Sequence, residues 1–129
     1  MRTFSAVLSL TALLAAASAL HAETATERGE RQLARMLGDR VAGPPVDCFE
    51  YVSATKKIEI DGVALVYDTG DVVYVARPAN AMDPRDTIMG GFRGRDICAS
   101  QKFFTVSRQG GMRTGIADIT EFVPYRRPS

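Results

Sequence analysis

The chain has 129 residues, 16 basic and 15 acidic side chains, and a formal net charge of +1. That length suits one domain, and so even a charge balance gives no drive toward general phosphate-backbone binding, so nucleic acid is not an expected partner. The one histidine, His21, sits in a leader-like segment, which excludes histidine-based nucleophiles and histidine-ligated metal from the body of the protein.

Residues 1–22 have the layout of a secretory signal peptide: Arg2, an apolar run from Phe4 to Ala17, then small residues with Ala19 and Ala22 as alternative cleavage positions. Ser5, Ser9, Thr11 and Ser18 dilute that run, which makes it a poor membrane anchor. Cleavage after Ala22 removes Arg2 and His21 and leaves 15 basic against 15 acidic groups. The expected product is periplasmic or secreted, without stable membrane insertion, and forms one small domain over residues 23–129.

Thr24 and Glu27 stand at capping-box spacing and predict a helix start. Leu33, Met36 and Leu37 form one apolar stripe, with Arg28, Glu30, Arg31 and Arg35 on the other side. Gly38 and Gly43-Pro44-Pro45 end the helix. Such a helix is expected to be a lid on the sheet.

Val46 to Val52 reads as a strand, and Ser53 to Lys57 turns into the central hairpin. Its arms are Val63 to Tyr67 and Val72 to Ala76, rich in β-branched and aromatic residues. Asp68-Thr69-Gly70 fits a three-residue loop closed by a left-handed glycine, which would set Val66 opposite Val72. Both faces of the hairpin are apolar, so both should be covered.

Beyond Pro78, Ala79 to Asp86 reads as a surface loop and Thr87-Ile88-Met89 as a short strand. Gly90 to Gly94 reads as a flexible hairpin connection. Asp96-Ile97-Cys98, Lys102 to Arg108 and Met112 to Asp118 are further strands, and Glu121 to Tyr125 is a docking tail ahead of an exposed Arg126-Arg127. The expected fold is α+β, mainly antiparallel β. One N-terminal amphipathic helix packs on a small sheet or partly closed barrel of six or seven short strands.

Cys48 and Cys98 are the only cysteines, and an oxidising address makes a structural disulfide the simplest pairing. No Cys-x-x-Cys spacing points to a redox-active pair.

Asp68-Thr69-Gly70 also matches the catalytic triplet of retropepsin-like aspartic proteases, in which two aspartates share a proton. Asp71 after the triplet departs from that pattern, and a hairpin turn accounts for each residue, so no catalytic residue is assigned and a hydrolase remains the alternative. Gly90 to Arg95 lacks phosphate-loop spacing. Asp83 with Asp86, and Asp68 with Asp71, lie outside any EF-hand loop. No metal or cofactor is expected. Arg126 and Arg127, with Arg113 and Arg108, offer a contact for anionic lipid headgroups, but the simpler reading is solvated cations.

Asp47-Cys48, Ile60-Asp61-Gly62, Tyr74 to Pro78, Asp96-Ile97-Cys98 and Phe122 to Arg127 together resemble a group of small exported proteobacterial proteins of unknown function. The resemblance implies export and a two-cysteine pattern, and carries no site residues. The expectation is a non-enzymatic binding or structural domain of the cell envelope, with an inhibitor of an envelope or host hydrolase as a further alternative. Its partner would be a protein or another envelope component. Loops on a rigid scaffold favour contact, so Asp83, Arg85 and Asp86, with Phe92, Arg93 and Arg95, are the candidate binding residues.

Overall fold

The computed structural model describes residues 22–129, so the signal-peptide reading of residues 1–22 falls almost wholly outside the described residues. Helix α1 spans Ala25–Leu37. The Thr24 hydroxyl accepts from the Glu27 N–H at 3.1 Å, and Gly38 ends the helix at φ 58°. These are the two local signals the sequence carries.

The strands run β1 (Val41–Ala42), β2 (Cys48–Glu50), β3 (Lys56–Ile60), β4 (Ala64–Asp68), β5 (Val72–Ala76) and β6 (Asp86–Gly90). Then come β7 (Phe92–Arg93), β8 (Asp96–Cys98), β9 (Phe103–Ser107), β10 (Arg113–Ala117) and β11 (Val123–Arg126). Eleven short strands among the described residues replace the expected six or seven. They form three antiparallel sheets: β1-β11-β5-β4-β3, β10-β9-β6 and β2-β8-β7. Fold class α+β, mainly antiparallel, is what the chain adopts, and none of the sheets closes into a barrel.

The five-stranded sheet is the middle layer. On one side, Leu33 of α1 packs with Ile60, Val63, Ala64, Val66, Val73 and Val75. On the other, Leu65, Tyr67 and Ala76 meet Phe49, Ile88, Ile97, Phe103 and Phe122 from the two smaller sheets and their connections. The hairpin is therefore covered on both faces, as its sequence requires. Phe49 stacks on Tyr74 at 4.1 Å and meets Phe122 edge-on at 5.0 Å, so aromatic packing adds to area burial at the centre of the larger core.

The hairpin register differs from the expected one by three residues. Val66 lies opposite Val75, and Asp68 lies opposite Val73. The loop is Gly70-Asp71, with the left-handed residue (Gly70, φ 98°) first instead of last. An odd slip exchanges the faces of one arm relative to the other. Leu65, Tyr67, Tyr74 and Ala76 thus share one core, and Ala64, Val66, Val73 and Val75 the other. The connection from α1 fixes this loop: Arg40 donates to the carbonyls of Gly70 and Asp71 at 3.0 and 2.9 Å.

The tail is a true strand. β11 lies between β1 and β5, with Pro124 fully buried. The Pro124 carbonyl accepts from the Gly43 N–H at 2.7 Å, so the missing proline N–H faces the short β1 side and leaves the β5 ladder whole.

Candidate binding surface

The two expected contact loops occupy opposite ends of β6, about 13 Å apart along the strand. Ahead of it, Asp83 and Arg85 satisfy each other: the guanidinium donates to both carboxylate oxygens at 3.1 and 2.9 Å, and the Arg85 N–H adds a third bond at 2.9 Å. The Arg85 hydrogen bonds pull the Asp83 carboxyl down to about 2. Asp86, the first residue of β6, accepts from the Thr114 hydroxyl at 2.7 Å. This end of the strand is a closed set of polar contacts.

At the other end, Gly91 donates to the Lys102 carbonyl at 3.0 Å and accepts from the Cys98 N–H at 2.9 Å. A Cβ on Gly91 would lie 2.1 Å from Phe103 Cζ. The glycine stretch is thus a packed crossing between two sheets, where a flexible connection was expected. Its rigidity presents Phe92 outward. Phe92 is 60% exposed, with its ring edge-on to Tyr51 at 5.6 Å. Arg93 lies opposite Asp96 in the β7–β8 pair, and the exposed Arg95 uses its carbonyl to accept from the Tyr51 N–H at 2.9 Å.

The sheet β10-β9-β6 continues this surface. Met89, Phe104 and Ile116 stand side by side across its three strands. Met89 is 44% exposed and Ile116 72%. The Arg113 guanidinium lies over the Phe104 ring at 4.3 Å, a cation–π contact that keeps a positive charge on an apolar row. Two shallow hollows that share Gln101 and Lys102 lie between Phe92 and Ile116, the end of this row. One of about 510 Å³ is bordered by Phe92 and Lys102, the other of about 290 Å³ by Lys102, Arg113, Ile116 and Asp118. Phe92 and the row thus flank Lys102 and Arg113, two exposed cations.

Side chains of β3 hold that sheet in place. β6 is an edge strand facing the edge of the five-stranded sheet, and it carries unpaired backbone groups there. The Glu59 carboxylate accepts from the Ile88 N–H and from the Thr87 hydroxyl (2.7 Å), while Lys57 Nζ donates to the Ile88 carbonyl. Arg108 closes the set with bonds to Asp61 at 2.6 Å and Glu59 at 3.2 Å. Burial holds the Lys57 ammonium below its ordinary range, against the opposing pull of Glu59. Hydrogen bonds to Asp61 raise Arg108 further, so it is no free cation.

Cys48 and Cys98 form the disulfide, as a directly opposed pair on β2 and β8 with Cα atoms 4.1 Å apart. Asp47 completes a close trio with the two sulfurs. Because the sulfurs are bonded to each other, the trio offers no thiolate set for a metal. Asp47 instead accepts from the Ser100 N–H and hydroxyl, both at 3.1 Å. Asp68 Oδ1 accepts from the Gly70 N–H at 2.9 Å, and the Thr69 hydroxyl donates to the Val72 carbonyl at 2.8 Å. Both side chains of the protease-like triplet are engaged in forming the turn.

Compared with family models, with curated proteins and with solved structures, the chain matches none at a significant level. Among the described residues, no helix is long and apolar enough to cross a membrane. The surface brings together Phe92, which the sequence singles out, and Arg113, which it reads as a solvated cation, with Met89, Lys102, Phe104 and Ile116, which it does not mark as contact residues. A signal existed in β9, where Phe103-Phe104-Thr105-Val106 places bulky apolar groups on both faces. The core takes Phe103 and leaves Phe104 on the far side.

Proposed function

We propose that this is an exported, non-enzymatic binding domain that docks an envelope protein through the surface formed by Phe92, Met89, Phe104 and Ile116. The observation that carries the reading is the exposed Phe92, Met89 and Ile116 with the half-buried Phe104 between the last two, next to Lys102 and Arg113. An exposed aromatic with apolar neighbours and arginine is the composition that dominates binding energy at protein interfaces. Lys102 and Arg113 select a partner with carboxylates beside an apolar patch. The leader-like N-terminus, the disulfide and the resemblance to small exported proteins support an oxidising address.

The test is affinity capture from an envelope extract with the wild type and with Phe92→Ser/Ile116→Ser. Both side chains are largely exposed, so the variant should unfold at nearly the same denaturant concentration. It should bind the captured partner at least about thirtyfold more weakly, the loss expected for a hot spot of about 2 kcal/mol. Equal retention by both proteins, or a partner returned cleaved, would overturn the proposal.

A further inference from the structure

A second surface, remote from the first in chain position and chemistry, lies between α1 and the end of β3. Arg28, Arg31 and Arg35 occupy one side of the helix. Their spacing of three and four residues aligns them over about 10 Å of axis. Arg31 pairs with Glu23 at 2.8 Å, whereas Arg28 and Arg35 pair with no carboxylate among the described residues. The helix cannot roll to hide them. Gly29 and Leu33 are buried against the sheet, and Arg77, just past β5, clamps Glu30 with its two terminal guanidinium nitrogens.

These arginines face a groove of about 640 Å³ whose far wall is Glu59, Ile60, Asp61 and Pro84. Arg108 bonds both wall carboxylates and Lys57 Nζ stands 3.9 Å from Glu59, so two cations offset their two negative charges. Gln32, also on the groove, adds a neutral amide donor. A concave, positively lined trough fits a chain laid along it.

From this geometry we infer that the groove binds a short linear oligoanion bearing phosphate or sulfate groups. Arginine grips such groups through paired N–H donors, and the spacing of the three residues suits successive anionic units. The site is independent of the protein-docking surface, and either can fail without the other.

Calorimetric titration of the exported protein with tripolyphosphate tests it. The wild type should bind saturably at low salt, more weakly at high salt. Arg28→Gln/Arg35→Gln should lower affinity at least tenfold, while Lys56→Gln/Arg127→Gln, which removes the same charge elsewhere, should change it less than twofold. A parallel arm measures sedimentation with phosphatidylglycerol vesicles. Absent tripolyphosphate binding, equal loss in both variants, or vesicle binding that needs Arg28 and Arg35 without tripolyphosphate binding, would each overturn the inference.

Discussion

Gly70 and Gly91 both hold left-handed backbone, at φ 98° and 84°, yet their surroundings set them far apart. Nothing lies within 4 Å of a Cβ built on Gly70, so Gly70→Ala should cost only the backbone penalty of about 1–2 kcal/mol. At Gly91 the same carbon would strike the ring of Phe103, which the core holds fully buried. Backbone strain and overpacking then combine, and Gly91→Ala should lose about 3 kcal/mol or more. Urea unfolding of the two variants checks the contrast, and similar losses would show that the Gly91 crossing is looser than described. Sequence alone reads both as turn glycines, because the neighbour that separates them, Phe103, is distant in the chain.

At the scale of elements, α1 was legible to its last residue because its caps are local chemistry, Thr24 at one end and Gly38 at the other. The hairpin arms were legible as strands, but their register was not. Both arms are continuous apolar runs, so no alternation marks which face is which, and the turn residues admit loops of two or three residues. Glu121 to Tyr125 read as a docking tail, and Pro124 within it is a residue seldom found in a central strand. Nothing sequential reveals that its carbonyl edge faces Gly43. The side-chain strap from β3 to β6 was equally hidden, since Lys57 and Glu59 alternate like any solvated strand. That strap carries a prediction. Glu59→Ala leaves the buried Ile88 N–H without its partner and should cost about 2–3 kcal/mol. Glu59→Gln keeps a carbonyl oxygen there and should cost less than half as much. Denaturant midpoints of the two variants decide the matter, and equal small losses would mean that the strap does not join the sheets.

For the whole molecule, the disulfide sets the path of the chain. It ties β2 to β8 across 50 residues, so the central hairpin and β6 lie within the closed loop. The pairing was legible because two cysteines allow one bridge. Native protein should show no alkylatable thiol until it is unfolded and reduced, and Cys98→Ser should lose about 2–4 kcal/mol. Two thiols alkylated in the native, oxidised protein would contradict the bridge. Of the surface proposed for docking, only Phe92 was singled out by the sequence as a contact residue. Met89, Phe104 and Ile116 belong to strands whose apolar residues look like core, and only the sheet order shows that one face stays open. The measurement that bears most directly on this surface is amide hydrogen exchange of the protein alone and with its captured partner. Exchange should slow in residues 89–92 and 102–116 and stay unchanged in residues 83–85. Slowing confined to residues 83–85, or none in either region, would contradict docking at this surface.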